Sequence, residues 1–265
     1  MSKCVIYIFN TTQNKTGNIQ TLKLKRTYSM KSATVFGAIT DIFLSPTKAF
    51  NGLKEAKGWS WTALAFILGS MIVGMSLFYG TADPQFLIDQ QISALSPDLS
   101  AQERDGAIQG FEMMQGMMQW FAIGGGAVAI IVYTAIFALY FLLISKMDPE
   151  SNQSFGDWFS FNLWAQMPAI FNWIGVIILI VTAGTDQLSL TIFNFASLNQ
   201  LVLGLDVHSP FYALTENIGV FAIWGIALSV IGLRSWTNFS TSKAVIFGTL
   251  PSVLIWGIWF IIALV

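Results

Sequence analysis

The chain has 265 residues, of which 54% are hydrophobic and only 10% charged. A soluble domain carries roughly 25% charged residues, so water alone does not solvate this surface and an ordinary soluble domain is excluded. One cysteine, Cys4, and one histidine, His208, exclude an intrachain disulfide and a Cys/His zinc site within one subunit, and no metal, haem or other cofactor is expected.

Residues 1–32 are polar, rich in Thr and Asn, and without a sustained period, which predicts a disordered extension. The apolar run from Val5 to Phe9 is too short for a signal-peptide core. Organised sequence begins directly after Met30, which makes Met30 a second candidate start and the extension a candidate misassignment. Over 33–58 two amphipathic helices are expected on the cytoplasmic surface. In the first, Val35, Phe36, Ile39 and Phe43 fall close to one helical face. Ser45-Pro46 starts the second, serine capping and proline in the first turn. It mixes Phe50 with Lys48, Lys54 and Lys57, a basic and apolar pattern that suits anionic lipid or a docking partner.

Residues 59–265 read as an all-α membrane domain. Apolar runs of about twenty residues match the roughly 30 Å of hydrocarbon that a helix crosses while satisfying its own backbone. Five such spans are predicted at about 61–79, 120–144, 159–182, 211–233 and 244–265. Trp59, Trp61, Trp120, Trp158 and Trp236 stand near predicted ends, where interfacial anchors belong. The loop after the first span is acidic, and Ser100 with Glu103 forms a capping box that opens an amphipathic helix. Met113, Met114, Met117 and Met118 follow, a pattern open to a soft binding surface or to adaptable packing at the membrane edge. The apolar loop containing Phe193 and Asp206 is expected to lie on the membrane surface or dip into the bundle.

Basic residues set the orientation. Nine Lys and Arg precede the first span, and Lys146, Arg234 and Lys243 lie in the two loops on the same side. Only Arg104 lies opposite. Twelve against one places the N-terminus in the cytoplasm and, with five spans, the C-terminus on the outer side.

Two places inside the predicted spans carry polar chemistry. Asn162, Gln166, Ala169 and Trp173 share a narrow arc at about 100° per residue, with Pro168 and Asn172 on the same span. That face marks either a hydrophilic path or interhelical hydrogen bonding. Glu216-Asn217 near the outer end of the fourth span is the second place, a candidate proton or cation site. Its position within about two turns of the boundary also allows an interfacial, hydrated glutamate. Ser70-x-x-x-Gly74 and Gly124-Gly125-Gly126 permit close helix approach, and Pro251 implies a kink. His208 has no triad partners nearby, Asp206 shapes its loop, and no catalytic constellation is expected, so the chain is read as a non-enzyme.

Several segments together carry a resemblance: Asp41-Ile-Phe-Leu-Ser-Pro-Thr-Lys-Ala-Phe50, the acidic first loop, the polar third span with Pro168, Ser197-Leu-Asn199, Phe221-Ala-Ile-Trp224, Leu228-x-x-x-Gly232-Leu-Arg234, and Lys243-Ala244. Over about 36–265 the chain resembles the bacterial branch of the Yip-domain family, membrane proteins named for interaction with Ypt/Rab GTPases. Where bacterial members carry an aspartate ahead of the Phe/Trp segment, this chain has Glu216-Asn217. The resemblance implies five spans, a cytoplasmic N-terminus and a bacterial inner membrane. In eukaryotes it implies an adaptor, a role that bacteria without Rab proteins do not inherit with the fold.

The leading expectation is a non-enzymatic adaptor or scaffold that docks through Lys48, Phe50, Lys54 and Lys57. The alternative is a small transporter or channel subunit using Asn162, Gln166, Asn172, Glu216 and Asn217. Membrane lipid, other membrane proteins or a second copy are the expected partners; nucleic acid is not.

Overall fold

Apolar runs without internal charge form helices here because a helix pairs its own N–H and C=O groups. The computed structural model describes residues 31–56, 58–95 and 99–265. The expected N-terminal extension, with Cys4, lies outside the described residues, as does Lys57.

Two short helices, α1 (Val35–Leu44) and α2 (Pro46–Leu53), precede the first long one. Thr34 caps α1 by accepting from the Gly37 N–H. Pro46 opens α2 as expected, but the Ser45 side chain makes no cap bond. Then come α3 (Trp59–Thr81), α4 (Pro84–Ser93) and α5 (Ala101–Met114), the last opened by the Ser100–Glu103 capping box. A 3₁₀ turn leads into α6 (Met118–Ser145).

Among the described residues, four helical stretches are long and apolar enough to cross a membrane: Trp59–Thr81, Ala101–Ser145, Phe155–Thr182 and Thr241–Leu264. The stretch expected as a continuous third span is divided into α7 (Phe155–Ala165) and α8 (Ala169–Thr182). Pro168 has no N–H to donate and crowds the preceding turn. The chain answers with tightened bonds, Ala169 N–H to Gln166 O at 2.9 Å and Phe171 N–H to Pro168 O at 3.0 Å.

The expected fourth span is also broken, into α9 (Tyr212–Asn217) and α10 (Val220–Trp236). The gap at Ile218-Gly219 leaves backbone groups that a membrane interior does not satisfy. The loop after α8 supplies them: Leu198 N–H donates to Ile218 O at 2.7 Å, and Val220 N–H donates to Ala196 O at 3.0 Å. Ser197 and Gly219 thus form an antiparallel bridge. The apolar loop therefore enters the bundle, with Ala196, Ser197 and Asn199 buried. The last helix is α11 (Thr241–Leu264), with Pro251 inside it.

One aromatic core holds one end of the bundle. Phe50, Phe161, Phe141, Trp158 and Trp236 pack ring against ring. Trp158 and Trp236, expected as interfacial anchors, are buried instead, because α2 covers that end of α7 and α10. Trp61 and Trp120 do stand exposed. The same end is tied by Lys54, which donates to Trp236 O at 3.1 Å. It is tied again by Asp148, whose carboxylate accepts from the Asn238 N–H at 2.8 Å. That bond holds the Asp148 carboxyl below its ordinary range despite burial, with help from the Glu150 N–H. At the opposite end Asp83 N–H donates to Asp186 O at 2.8 Å, and Gln90 reaches Leu188 O and accepts from Leu190 N–H.

The small-residue sites divide. Gly74 seats Trp173, whose ring lies where a Cβ would go, so α3 and α8 approach closely. Gly126 faces Met71, while Gly124 and Gly125 have open space around them.

Candidate functional site

The two broken helices meet at one cavity. Its volume is ≈ 440 Å³, and it lies between α6, α7, α8, the inserted loop, α9, α10 and α11. All five residues expected to carry intramembrane polar chemistry line it: Asn162, Gln166, Asn172, Glu216 and Asn217. They come from two stretches some fifty residues apart, and only the tertiary fold joins them.

On the third stretch, buried Asn162 donates its amide to Thr134 O at 3.5 Å, and Gln166 donates to Thr134 Oγ1 at 2.9 Å. Thr134 on α6 is a partner that sequence reasoning missed, since a single threonine in an apolar helix reads as filler. Interhelical hydrogen bonding and a polar cavity wall, set apart in the sequence as alternatives, coexist on this face. Trp173, expected on the same arc, turns away to Gly74, because the break at 166–168 changes the helical phase. Asn172 takes its place in the wall and donates to Phe193 O of the inserted loop at 3.0 Å.

Among the described residues, Glu216 is the one acidic or basic side chain in the wall. It is 6% exposed, so the fold encloses it rather than leaving it on the surface of the bundle. Asn199 Nδ2 donates to Glu216 Oε1 at 2.9 Å, and the Gln200 amide donates to the same oxygen. Oε2 is buried and accepts from no protein donor. Asn199 also accepts the Leu205 N–H at 2.8 Å and donates to Leu205 O at 3.3 Å, closing the loop in which Gly204 adopts φ 59°. Asn199 and Gln200 were not singled out as site residues; Asn199 stood only in the Ser197-Leu-Asn199 segment of the family resemblance, and Gln200 only as its polar neighbour in an apolar loop. Asn217 donates to Ala213 O at 2.8 Å.

The rest of the wall is small and aromatic. Gly219, Ala222 and Gly225 keep α10 slim beside α7, where Gly225 lies 3.1 Å from Ala165 O as measured from an added Cβ. Trp256 and Trp259 of α11 and Tyr133 of α6 complete it. Ser229 and Ser252 add hydroxyls.

The residues expected to dock lipid or a partner lie elsewhere and are largely engaged internally. Phe50 is 0% exposed and packs on Phe161, which removes it from any docking face. Lys48 pairs with Asp41 at 2.9 Å, and Lys54 holds Trp236 O. Burial pushes the Asp41 carboxyl up, but Lys48 and Ser32 outweigh it and hold the group below its ordinary value. Phe36 and Leu44 on α1 are the exposed apolar side chains of this segment.

Among the described residues no group of three or more His, Cys, Asp or Glu gathers as a metal site. Neither a curated protein nor a solved structure matches the chain. A family model described as the Yip1 domain matches residues 40–264. That range takes in the aromatic core, both helix breaks and the whole cavity wall, and the chain is a multi-pass membrane protein that belongs to the Yip1 domain family.

Proposed function

We propose that this Yip1-domain protein is non-enzymatic and that its bundle encloses a binding chamber for a small polar solute, as a transporter or receptor-like subunit would. One observation carries the reading. Two adjacent discontinuous helices place their breaks and their polar side chains around one cavity. Irregular backbone at membrane depth is tolerated where it lines such a space, and broken helices recur at solute sites.

The chamber is read within five crossings, the N-terminus cytoplasmic and the membrane a bacterial inner membrane. The last part rests on the bacterial-type motifs alone. α10 with 17 residues spans about 25 Å, short of the roughly 30 Å required, and the six residues of α9 bring the pair to about 34 Å. Phe211 before α9 lies 5.7 Å from Phe260 near the end of α11, while Trp236 lies at the opposite end beside Lys54. The twelve-to-one distribution of basic residues supports the orientation. A reporter fused after Val265 is expected to be active only outside the cytoplasm; cytoplasmic activity contradicts this topology.

The chamber is tested with the full chain in detergent and a panel of neutral, anionic and cationic solutes. At a hundredfold excess over Kd, a bound solute stabilises by about 2.7 kcal/mol. At least one solute is expected to raise Tm, and Gln166→Leu to cancel that rise. A second reading, an adaptor that docks through the N-terminal helices, is favoured by the exposure of Phe36 and Leu44 on α1. No shift across the panel, with function lost when Lys48, Lys54 and Lys57 are neutralised, contradicts the chamber and supports docking.

A further inference from the structure

We infer that the chamber selects a small organic cation, a solute carrying one ammonium group, which Glu216 holds against an aromatic wall. This rests on the reading that the chamber takes a solute at all, and it adds the solute's chemical class.

The sign of the wall comes first. Among the described residues, Glu216 is the only carboxyl side chain that lines the cavity, and neither Lys, Arg nor His does. α8 and α10 both begin at the wall without side-chain caps, each end adding about half a positive charge, and the ends of α7 and α9 at the same wall offset them with partial negative charge. The carboxyl of Glu216 then sets the sign, and the net field is negative. The hydrogen-bonding capacity points the same way. Asn162, Gln166, Asn172 and Asn217 each donate amide hydrogens to the protein, to Thr134, Phe193 O and Ala213 O. Gln166 uses both of its amide hydrogens, on Thr134 Oγ1 and Asn162 O, and turns only carbonyl oxygen to a ligand, while the three asparagines keep a carbonyl oxygen and one amide hydrogen each. The buried Oε2 of Glu216, with no protein donor, is the strongest acceptor in the wall, and leaving it unmatched is costly.

Size and surface then separate an organic cation from a metal ion. A bare cation needs a tight cage, with oxygens about 2.0–2.6 Å away. A cavity of ≈ 440 Å³ is instead in the range of small-molecule sites, roughly 300–1,000 Å³. Trp256, Trp259, Tyr133 and Phe137 place aromatic rings in the same wall, and aromatic rings attract ammonium groups. One carboxylate matches one positive charge.

The experiment uses the full chain in detergent at constant ionic strength, with n-butylammonium and tetramethylammonium as probes. n-Butanol, butyrate and sodium serve as the neutral, anionic and inorganic comparisons. The ammonium probes are expected to bind in calorimetry and raise Tm while the comparisons do neither. Glu216→Gln weakens that binding by at least about tenfold. Trp256→Leu leaves the Asn199–Glu216 contact alone and weakens it roughly three- to tenfold; it decides the matter if Glu216→Gln does not fold. Equal binding of n-butanol or butyrate overturns the cation assignment and leaves the chamber standing. Binding of sodium alone overturns the organic class. Ammonium binding that neither substitution weakens overturns the inference as well. Failure of every probe, with some other solute from the wider panel binding, overturns the inference alone. Failure of every solute overturns the chamber with it.

Discussion

Gly232→Ala is expected to lower the melting temperature in detergent by roughly 2–8 °C, at about 2–4 °C per kcal/mol for a chain of this size. The change adds one methyl group to α10. That Cβ would lie 2.5 Å from Phe161 Cε2 and 2.8 Å from two ring atoms of Phe50. Both rings are fully buried among Trp158, Trp236 and Phe141, so neither has room to swing aside. Overpacking a core of this kind costs about 1–3 kcal/mol. It outweighs the gain of up to about 1 kcal/mol that alanine brings over glycine in a helix. The same clash pushes α2 away, because Trp236 Nε1 donates to Phe50 O at 2.8 Å and Lys54 donates to Trp236 O. Gly257→Ala on α11, where an added Cβ meets open space, is the matched control and should leave Tm unchanged or slightly raised. Equal melting of the two variants would show that the ring cluster yields, contrary to this account of the core.

Asn199→Leu is the second large effect. It removes three hydrogen bonds at once: the donation to Glu216 Oε1 and the two that close the loop at Leu205. Glu216 keeps only the Gln200 amide, with Oε2 already unmatched. Losing a hydrogen bond to a buried carboxylate costs about 1.5–3 kcal/mol, and the orphaned Leu205 N–H adds about 1–3 kcal/mol. The damage should be local, since the aromatic core lies at the other end of α10. Hydrogen exchange at 197–206 is therefore expected to accelerate by at least about a hundredfold, as about 3 kcal/mol implies, while Phe161 and Trp236 keep their protection. Unchanged exchange in that loop would mean that Asn199 does not clamp it.

Local signals were legible because they act over a few residues. The Ser100–Glu103 box, the Pro46 start and the polar residues of the third stretch all depend on spacing within one or two turns. Pro168 announced a disturbance, though not that α7 and α8 would separate. The break at Ile218-Gly219 was hidden, since one glycine in an apolar run is ordinary; it depends on backbone groups of Ala196 and Leu198. The placement of Phe50 misled for a compositional reason. An apolar stripe beside lysines looks the same whether it faces lipid or a helix, and here α2 lies on α10 and α7. Trp158 and Trp236 misled for the related reason that a span's end is not a membrane interface when another helix covers it. The convergence of Asn162, Gln166 and Glu216 was invisible, because no local pattern records which helices become neighbours.

The chamber itself is tested most directly by thiol accessibility. Cys4 is the chain's one cysteine, so Cys4→Ser gives a clean background for single replacements. Ser252→Cys places a thiol in the cavity wall; Ala63→Cys places one in the packed core, and Ile246→Cys places one on the exposed apolar face of α11. Water-soluble methanethiosulfonate reagents need a hydrated, ionisable thiol. A polar chamber predicts that Ser252→Cys reacts in the membrane, faster with a cationic reagent than with an anionic one, while Ala63→Cys and Ile246→Cys stay inert. A thiol at position 252 as unreactive as one at position 63 would contradict it, and the polar side chains would then be packing contacts in a dry bundle.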